Sequence, residues 1–195
     1  MVEPSPLTVG VLALQGDFQA HSRVLEALGA QSQEVRVPAD LEGLDALVIP
    51  GGESTTMTLG IEREGLAEPL RRLVRAGTPT LGTCAGLIML DREHLGLLDV
   101  TARRNAFGRQ VRSFEADLEV QGLEGGPLRA VFIRAPWVDE AGEGVEVLAE
   151  VEGHPVAVRE GEIIAVAFHP EIHGDSRLHQ WLIARAGERN GDIDK

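Results

Sequence analysis

The chain has 195 residues, which suits one domain of ordinary size with a substantial buried core. It carries 18 Lys and Arg against 31 Asp and Glu, and this formal net charge of -13 repels phosphate backbones and anionic lipid headgroups. Binding to nucleic acid or to a membrane surface is therefore disfavoured. The apolar stretch 7–14 is shorter than the ~20 residues of a membrane span, and no basic segment precedes it, so we expect a cytoplasmic protein.

Cys84 is the only cysteine in the chain. A single thiol excludes an internal disulfide and any zinc cluster that is built from several cysteines. Cys84 is therefore either a buried packing residue or a chemically active group, and the sequence around it has to distinguish these two roles.

The first half of the chain alternates apolar strands with amphipathic helices. Three runs rich in Val, Ile and Leu lack polar alternation, which predicts strands that are buried on both faces. These runs are residues 7–14, 46–49 and 80–81. Apolar residues at helical spacing predict helices over 18–28 and 66–74, and the order strand, helix, strand predicts parallel pairing.

The second half of the chain is richer in short strands. Five strand-like runs with glycine-containing turns predict a meander that extends the parallel sheet. They are residues 114–120, 130–133, 145–151, 155–159 and 163–168. Apolar residues at 178–184 predict a closing helix, and residues 189–195 are expected to form a frayed polar tail. The predicted fold is one domain, residues 1–195, forming a three-layer α/β/α sandwich with a mixed central sheet.

The segment GTCAG at 82–86 has the pattern of a nucleophile elbow. It joins the strand 80–81 to an apolar helix near Ala85, at the carboxyl end of a strand, where open α/β sheets place their ligand sites. Such a turn forces its central residue into strained backbone geometry, and the flanking glycines leave room for the crowding. The pattern favours Cys84 as a nucleophile that projects into solvent over a cysteine that packs in the core.

The segment FHPE at 168–171 follows an apolar run and places two titratable side chains two positions apart. In extended chain His169 and Glu171 share a face, and Pro170 keeps the backbone out of the helical region. Glu171 can then orient His169 through one imidazole nitrogen, which leaves the other nitrogen to take a proton from Cys84. The alternative is a solvent-facing His and Glu at a strand end.

A metal site made by His169, Glu171 and His173 is the weaker interpretation of this region. The chain has no HExxH spacing and no supporting acidic or thiol cluster, so we expect no metal. His173 and His179 are expected at the surface, and His21 and His94 are expected in structural or solvent-exposed positions.

The segment PGGESTT at 50–56 is a glycine turn after the strand 46–49, and it enters a helix whose predicted N-cap is Ser54 or Thr55. Glycines let backbone N–H groups approach a ligand closely. One amide here, together with the amide of Ala85, can form an oxyanion hole for a tetrahedral intermediate. A Gly-Gly pair taken alone usually indicates only a turn.

Together, the elbow cysteine, the His-x-Glu pair and the glycine loop resemble the class I, or triad, glutamine amidotransferases. Further segments are similar to one branch of that class, the glutaminase subunits of pyridoxal 5'-phosphate synthase, over almost the whole chain. These segments are GVLALQG at 10–16, PGGESTTM at 50–57, GTCAGLIML at 82–90, LGLLDV at 95–100, RNAFGRQ at 104–110, FIRAP at 132–136 and FHPE at 168–171. RNAFGRQ and FIRAP have no general reason to accompany a catalytic triad, so they point to the branch.

The resemblance implies a flavodoxin-like fold and hydrolysis of L-glutamine through a thioester on Cys84. His169 would be the acid and base, and Glu171 would hold His169 in place. The implied oxyanion hole consists of the amides of Gly52 and Ala85, and the enzyme would need no cofactor because pyridoxal phosphate is a product. The residues implied to bind glutamine are Gly52, Glu53, Ser54, Arg104, Ile133 and Arg134. An Arg pair suits the α-carboxylate of glutamine, and a Glu suits its α-ammonium.

The resemblance also implies a protein partner, because ammonia released into neutral water is mostly protonated and no longer nucleophilic. In this family the partner is a (β/α)8-barrel lyase in a large hetero-oligomer, and Gln15 and Gly16 would meet the barrel. Two other hypotheses stay open. A cysteine hydrolase or stress protein with the same elbow would need no RNAFGRQ segment, and a non-catalytic regulatory subunit would gain nothing from Cys84.

Overall fold

The computed structural model describes residues 6–107 and 113–193. Its strands, in chain order, are β1 (Thr8–Leu12), β2 (Gln31–Val35), β3 (Ala46–Ile49), β4 (Thr80–Thr83), β5 (Val100–Arg103), β6 (Ser113–Leu118), β7 (Leu128–Ile133), β8 (Trp137–Ala141), β9 (Glu146–Val151), β10 (His154–Glu160) and β11 (Ile163–Val166). Its helices are α1 (Phe18–Ala27), α2 (Ser54–Arg63), α3 (Ala67–Arg75), α4 (Ala85–Leu90) and α5 (Arg177–Ile193), with a 3-10 turn at Pro38–Leu41.

A seven-stranded sheet forms the middle layer, in the order β2-β1-β3-β4-β11-β10-β9. The pairs β1 with β2, β1 with β3, β3 with β4 and β4 with β11 are parallel, whereas β10 is antiparallel to both of its neighbours. Every residue of β3 and of β11 is buried, as strands covered on both faces must be. The predicted α/β class with a mixed central sheet is confirmed.

The helices cover both faces of this sheet. The connections β1–α1–β2 and β3–α2–α3–β4 run in opposite directions along the sheet, so the rule of right-handed crossovers puts α1 on one face and the α2 and α3 pair on the other. Helix α4 packs against α2, and α5 approaches α1, where the rings of His21 and His179 lie 5.1 Å apart. The carboxyl ends of β1, β3, β4 and β11 therefore meet at one edge between the layers, where the three sequence motifs begin.

The predicted meander extends the sheet only in part. Strands β9, β10 and β11 do extend it, but β6 and β7 form a separate antiparallel hairpin, and β5 pairs with β8 in another small sheet. Strand β6 alternates exposed and partly buried residues, so it cannot occupy a layer that is covered on both sides. Within the hairpin the rings of Phe114 and Phe132 stack with their centroids 4.5 Å apart. The hairpin packs on the end of β11, where Phe132 contacts Phe168 (ring centroids 5.6 Å apart) and Val131 accepts a hydrogen bond from the His169 N–H (2.9 Å).

The predicted polar tail is wrong for residues 189–193, which continue helix α5. Polar anchors explain the extra turns. Asn190 donates to Asp45 (2.7 Å), and Arg189 donates to the hydroxyl of Thr78 (3.4 Å). The last two residues of the predicted tail, 194–195, lie outside the described residues. Among the residues that the structure describes, no helix combines the length and the hydropathy needed to cross a bilayer.

Candidate active site

Cys84 occupies the sharp turn between β4 and α4. Its backbone has φ 50° and ψ -106°, a left-handed geometry that is costly for any residue with a side chain and that the surrounding fold has to impose. The Cys84 N–H donates to Val166 of β11 (2.8 Å), which anchors the turn. A Cβ on Gly86 would lie 2.0 Å from the Ile49 carbonyl oxygen, so only glycine fits there.

The exposure of Cys84 differs from the sequence prediction, because the residue is buried, with 7% of its surface accessible. The side chain does not project into open solvent. It lies instead at the floor of a small cavity, beside Ala85 and Ile88. A nucleophile in such a position meets only a substrate that fits the cavity.

His169 lies directly beyond β11, where it connects Cys84 to Glu171. The His169 Nδ1–H donates to Glu171 Oε1 at 2.8 Å, and the imidazole lies beside Cys84, since both side chains pack against Gly51. Burial lowers the pKa of His169, but the hydrogen bonds and charges of Cys84 and Glu171 outweigh it and raise the pKa to about 10. The structure thus brings together the three residues that the sequence predicts as a catalytic triad.

The glycine loop after β3 packs closely against two residues of this triad, His169 and Cys84. A Cβ on Gly51 would lie 2.5 Å from His169 Cε1 and 3.2 Å from Cys84 Cβ, so a larger residue would displace the catalytic side chains. Gly16, at φ 88°, packs on the other side of the loop, since a Cβ there would lie 1.8 Å from the Gly51 carbonyl oxygen. The Glu53 N–H donates to Gln15 Oε1. Gln15 and Gly16 therefore contact the glycine loop and help to hold it in position.

The N-cap of α2 is Glu53, and the predictions of Ser54 and Thr55 are wrong. The Glu53 carboxylate accepts hydrogen bonds from the N–H groups of Thr55 (3.1 Å) and Thr56 (2.8 Å). Hydrogen bonds from Thr56, and then from Thr55, lower the pKa of Glu53 to about 2. Ser54 is buried in the first turn. Glu53 therefore stays negatively charged at the mouth of the cavity.

The cavity at Cys84 has a volume of about 100 Å³. All six residues implied to bind glutamine line it: Gly52, Glu53, Ser54, Arg104, Ile133 and Arg134. Ala85, which with Gly52 is implied to form the oxyanion hole, lines it as well. Arg104 reaches across the opening and donates to Glu53 (3.1 Å). The structure adds Asn105 and Pro136, which sequence reasoning missed. Asn105 lies in the RNAFGRQ segment, of which residues 108–110 are outside the described residues.

Segments that follow β5 and β7, in the two small sheets, form one wall of this cavity. Arg104 follows β5, and Arg134 follows β7 with φ 45°, another non-glycine residue in the left-handed region. The Ala106 N–H donates to Ala135 (3.0 Å), which holds the two segments side by side. This wall is therefore built from segments far apart in sequence, and it contributes both Arg104 and Arg134 to the cavity lining.

A larger cavity, of about 510 Å³, lies between the N-terminal strand and α5. Its lining, as far as the described residues show it, is mostly apolar and holds no nucleophile or titratable side chain: Pro6, Leu7, Leu28, Gly29, Ala30, Ile183, Gly187 and Asn190. The small cavity at Cys84 is therefore the candidate active site.

The other histidines separate into exposed and buried ones. His173 forms an ion pair with Glu115 (3.3 Å) at the surface, as predicted, and His94 binds Asp91 (2.7 Å) away from the triad. The prediction that His179 lies at the surface is wrong, because it is fully buried against His21. Within the described ranges 6–107 and 113–193, no three His, Cys, Asp or Glu residues are grouped so that they could hold a metal.

Comparison with known proteins decides the family. A model described as the SNO glutamine amidotransferase family matches residues 11–188. The chain belongs to this family. The amidotransferase is 49% identical to the pyridoxal 5'-phosphate synthase subunit PdxT of Nocardia farcinica, with 97% of this chain and 92% of the relative covered. It is 55% identical to the subunit PdxT of Acidothermus cellulolyticus, with 90% and 92% covered.

Solved structures agree with this assignment. The amidotransferase superimposes on a crystal structure of a glutamine amidotransferase with a TM-score of 0.86 and 49% identity, covering 92% of this chain and 98% of that one. A glutamine amidotransferase from Thermotoga maritima shares the fold at a TM-score of 0.63 and 14% identity, with 97% and 86% covered. The resemblance to glutamine amidotransferases is confirmed, and the chain is an enzyme of that class.

Proposed function

We propose that this amidotransferase is the glutaminase subunit of a pyridoxal 5'-phosphate synthase and supplies ammonia to a partner synthase subunit. The observation that carries the proposal is the placement of Cys84 in the lining of a small cavity, with His169 beside it against Gly51 and hydrogen-bonded to Glu171. The identity of about half to the PdxT subunits supports the pathway.

The reaction uses the triad in two steps. The Cys84 thiolate attacks the side-chain amide carbon of glutamine, and the imidazolium of His169 protonates the departing nitrogen, so that ammonia leaves and a thioester remains. Neutral His169 then takes a proton from water, whose oxygen attacks the thioester carbon and releases glutamate and the thiolate. Glu171 holds the imidazole and favours its protonated form.

The lining of the cavity suits both ends of an amino acid. The carboxylate of Glu53 meets the α-ammonium of glutamine, and the guanidinium groups of Arg104 and Arg134 bind its α-carboxylate. Ser54 and Ile133 border the side chain. The amides of Gly52 and Ala85 stabilise the oxyanion of each tetrahedral intermediate.

The partner is part of this proposal. Ammonia has to reach its acceptor before water protonates it, so the acceptor site belongs to a docked protein, which we propose is a (β/α)8-barrel lyase in a large hetero-oligomer. Gln15 and Gly16, which support the glycine loop, form part of the docking surface. The chain acts as one domain in the cytoplasm, where a catalytic thiol stays reduced.

The proposal is tested by following the amide nitrogen of glutamine. The amidotransferase, the barrel lyase, a pentose phosphate and a triose phosphate are incubated with glutamine that carries nitrogen-15 in its side-chain amide, in the presence of unlabelled ammonium. We expect the heavy nitrogen to appear in the pyridine ring of pyridoxal phosphate. Release of labelled ammonia without any incorporation would show that the protein is a glutaminase and would contradict its proposed role in pyridoxal phosphate synthesis.

Gly51→Ala is expected to lower kcat by about 100-fold, because the new methyl group displaces His169 and Cys84 from their contact geometry. The matched control is Gly187→Ala in α5, where the added Cβ meets only Leu7 at 3.9 Å. Glutamate release and circular dichroism are measured for both variants. A folded Gly51→Ala protein with normal kcat would show that the loop does not constrain the triad.

The pH dependence of kcat/KM is expected to follow His169. Because the protonated imidazole has to protonate the leaving ammonia, activity persists to alkaline pH and falls as the pH rises through about 10. Glu171→Gln removes the carboxylate that helps to raise the pKa of His169, so the alkaline limb moves to lower pH. Rate profiles of both proteins check this, and an unmoved limb in Glu171→Gln would contradict the role of the carboxylate.

A further inference from the structure

Two histidines form a buried polar cluster directly behind the triad. His21 of α1 and His179 of α5 are both fully buried. Their ring nitrogens meet, with His21 Nδ1 2.9 Å from His179 Nε2. A polar pair in this position needs a reason, because apolar side chains would fill the same space at lower desolvation cost.

The far nitrogen of His21 points to the catalytic machinery. His21 Nε2 lies 3.2 Å from the hydroxyl of Thr83, the residue before the nucleophile, and 3.5 Å from Glu171 Oε2. Oε2 is the carboxylate oxygen that His169 does not use, and within the described residues it has no partner inside hydrogen-bond geometry. A small movement of either side chain brings this oxygen and the His21 nitrogen into a charge-assisted hydrogen bond.

The contact between the two rings decides which nitrogen carries the proton. If His21 donated from Nδ1, its bare Nε2 would face the negative Oε2 of Glu171, and His179 would bury an N–H at Nδ1 without a partner. If His179 donates from Nε2 instead, His21 carries its proton on Nε2 and directs it to Glu171 and Thr83. The second arrangement leaves only an unprotonated Nδ1 of His179 without a partner, and it costs less.

We propose that His21 is a positioning residue whose Nε2–H holds the second oxygen of Glu171, and that His179 fixes the tautomer which makes this possible. Both rings are neutral, because burial lowers the pKa of His21 and lowers that of His179 to about 3. The cluster therefore contributes a directed N–H group and no charge. Glu171, held at both oxygens, keeps His169 aligned with Cys84 during the two proton transfers.

The inference rests on the proposed glutaminase activity, and a pair of variants tests it. His21→Gln keeps an N–H donor near the position of Nε2, whereas His21→Met has almost the same shape without a donor. We expect His21→Met to lower kcat by roughly 10- to 100-fold with little change in KM, and His21→Gln to restore most of the rate. His94→Met is the matched control, since this histidine contacts Asp91 away from the triad.

Nitrogen-15 spectra of the histidines in the wild-type enzyme give a second, independent readout. We expect protonated Nε2 and unprotonated Nδ1 in both His21 and His179. A proton on His21 Nδ1, or equal kcat in folded His21→Met and His21→Gln, would overturn the proposal. Wild-type enzyme that releases no glutamate in the same assay, with the lyase present, would instead overturn the proposed function, so the two failures are distinguishable.

Discussion

Cys84→Ala is expected to lower glutamine hydrolysis by about 10⁴-fold or more, because no other group in the cavity can form the thioester. His169 and Glu171 remain in place, but without the sulfur the imidazole has no nucleophile to activate. The fold tolerates the change, since the turn geometry is imposed by glycines on either side and by the hydrogen bond to Val166. Glutamate release at saturating glutamine, with the lyase present, measures the loss.

Ammonium provides the control for this variant. Cys84→Ala that docks normally on the lyase still permits pyridoxal phosphate synthesis from an ammonium salt, whereas synthesis from glutamine stops. Cys84→Ser is the matched variant, because it keeps a hydroxyl of similar shape that is a far weaker nucleophile. If Cys84→Ala still formed pyridoxal phosphate from glutamine alone, the non-catalytic regulatory alternative would replace the triad mechanism.

The triad was predictable from sequence because each of its parts has a local signature. The glycines at 82 and 86 allow the close packing around the Cys84 turn, and His169 and Glu171 stand two positions apart on either side of a proline. The predicted extended backbone is wrong here, because a turn begins at Pro170, but the two side chains still meet. Strands β3 and β11 were equally clear, since both are buried over their full length. The sequence signals for these features lie in a few neighbouring residues, so they can be recognised before the distant contacts that fix them, such as that of Gly86 with Ile49, are known.

Features set by distant contacts could not be predicted in the same way. Strand β2, Gln-Ser-Gln-Glu-Val, is an edge strand with a polar sequence, so it lacks the apolar run that marks its neighbours. The residues His21 and His179 are separated by most of the chain, and their contact exists only after α1 and α5 have packed. A lone histidine on a helix carries no sign of such a partner.

The glycine loop shows how a local rule can give the wrong residue. Ser54 and Thr55 are better N-cap types than Glu53, yet Glu53 takes the position because its carboxylate reaches both Thr55 and Thr56. The same carboxylate then pairs with Arg104 across the cavity. The choice of Glu53 is therefore explained by the site, where a charged group is needed, and not by helix stability alone.

Adding the barrel lyase is expected to raise kcat by about two to three orders of magnitude, the amount that one completed oxyanion donor supplies at ~2.7 to 4 kcal/mol. The structural reason lies in the loop that carries Gly52. Its next residue, Glu53, donates its N–H to Gln15 Oε1, so a partner that contacts Gln15 acts directly on the peptide beside the oxyanion site. Glutamate release is measured over a range of lyase concentrations.

Gln15→Ala separates docking from activation. Without the Gln15 side chain, the hydrogen bond from the Glu53 N–H to Gln15 is lost. We expect the lyase to stimulate kcat less in this variant, while the affinity of the complex changes little. Glu150→Gln, at the exposed far edge strand β9, is the control and keeps full stimulation. Equal turnover with and without lyase in the wild type would mean that the oxyanion hole is complete before docking, and the partner would then only receive the ammonia.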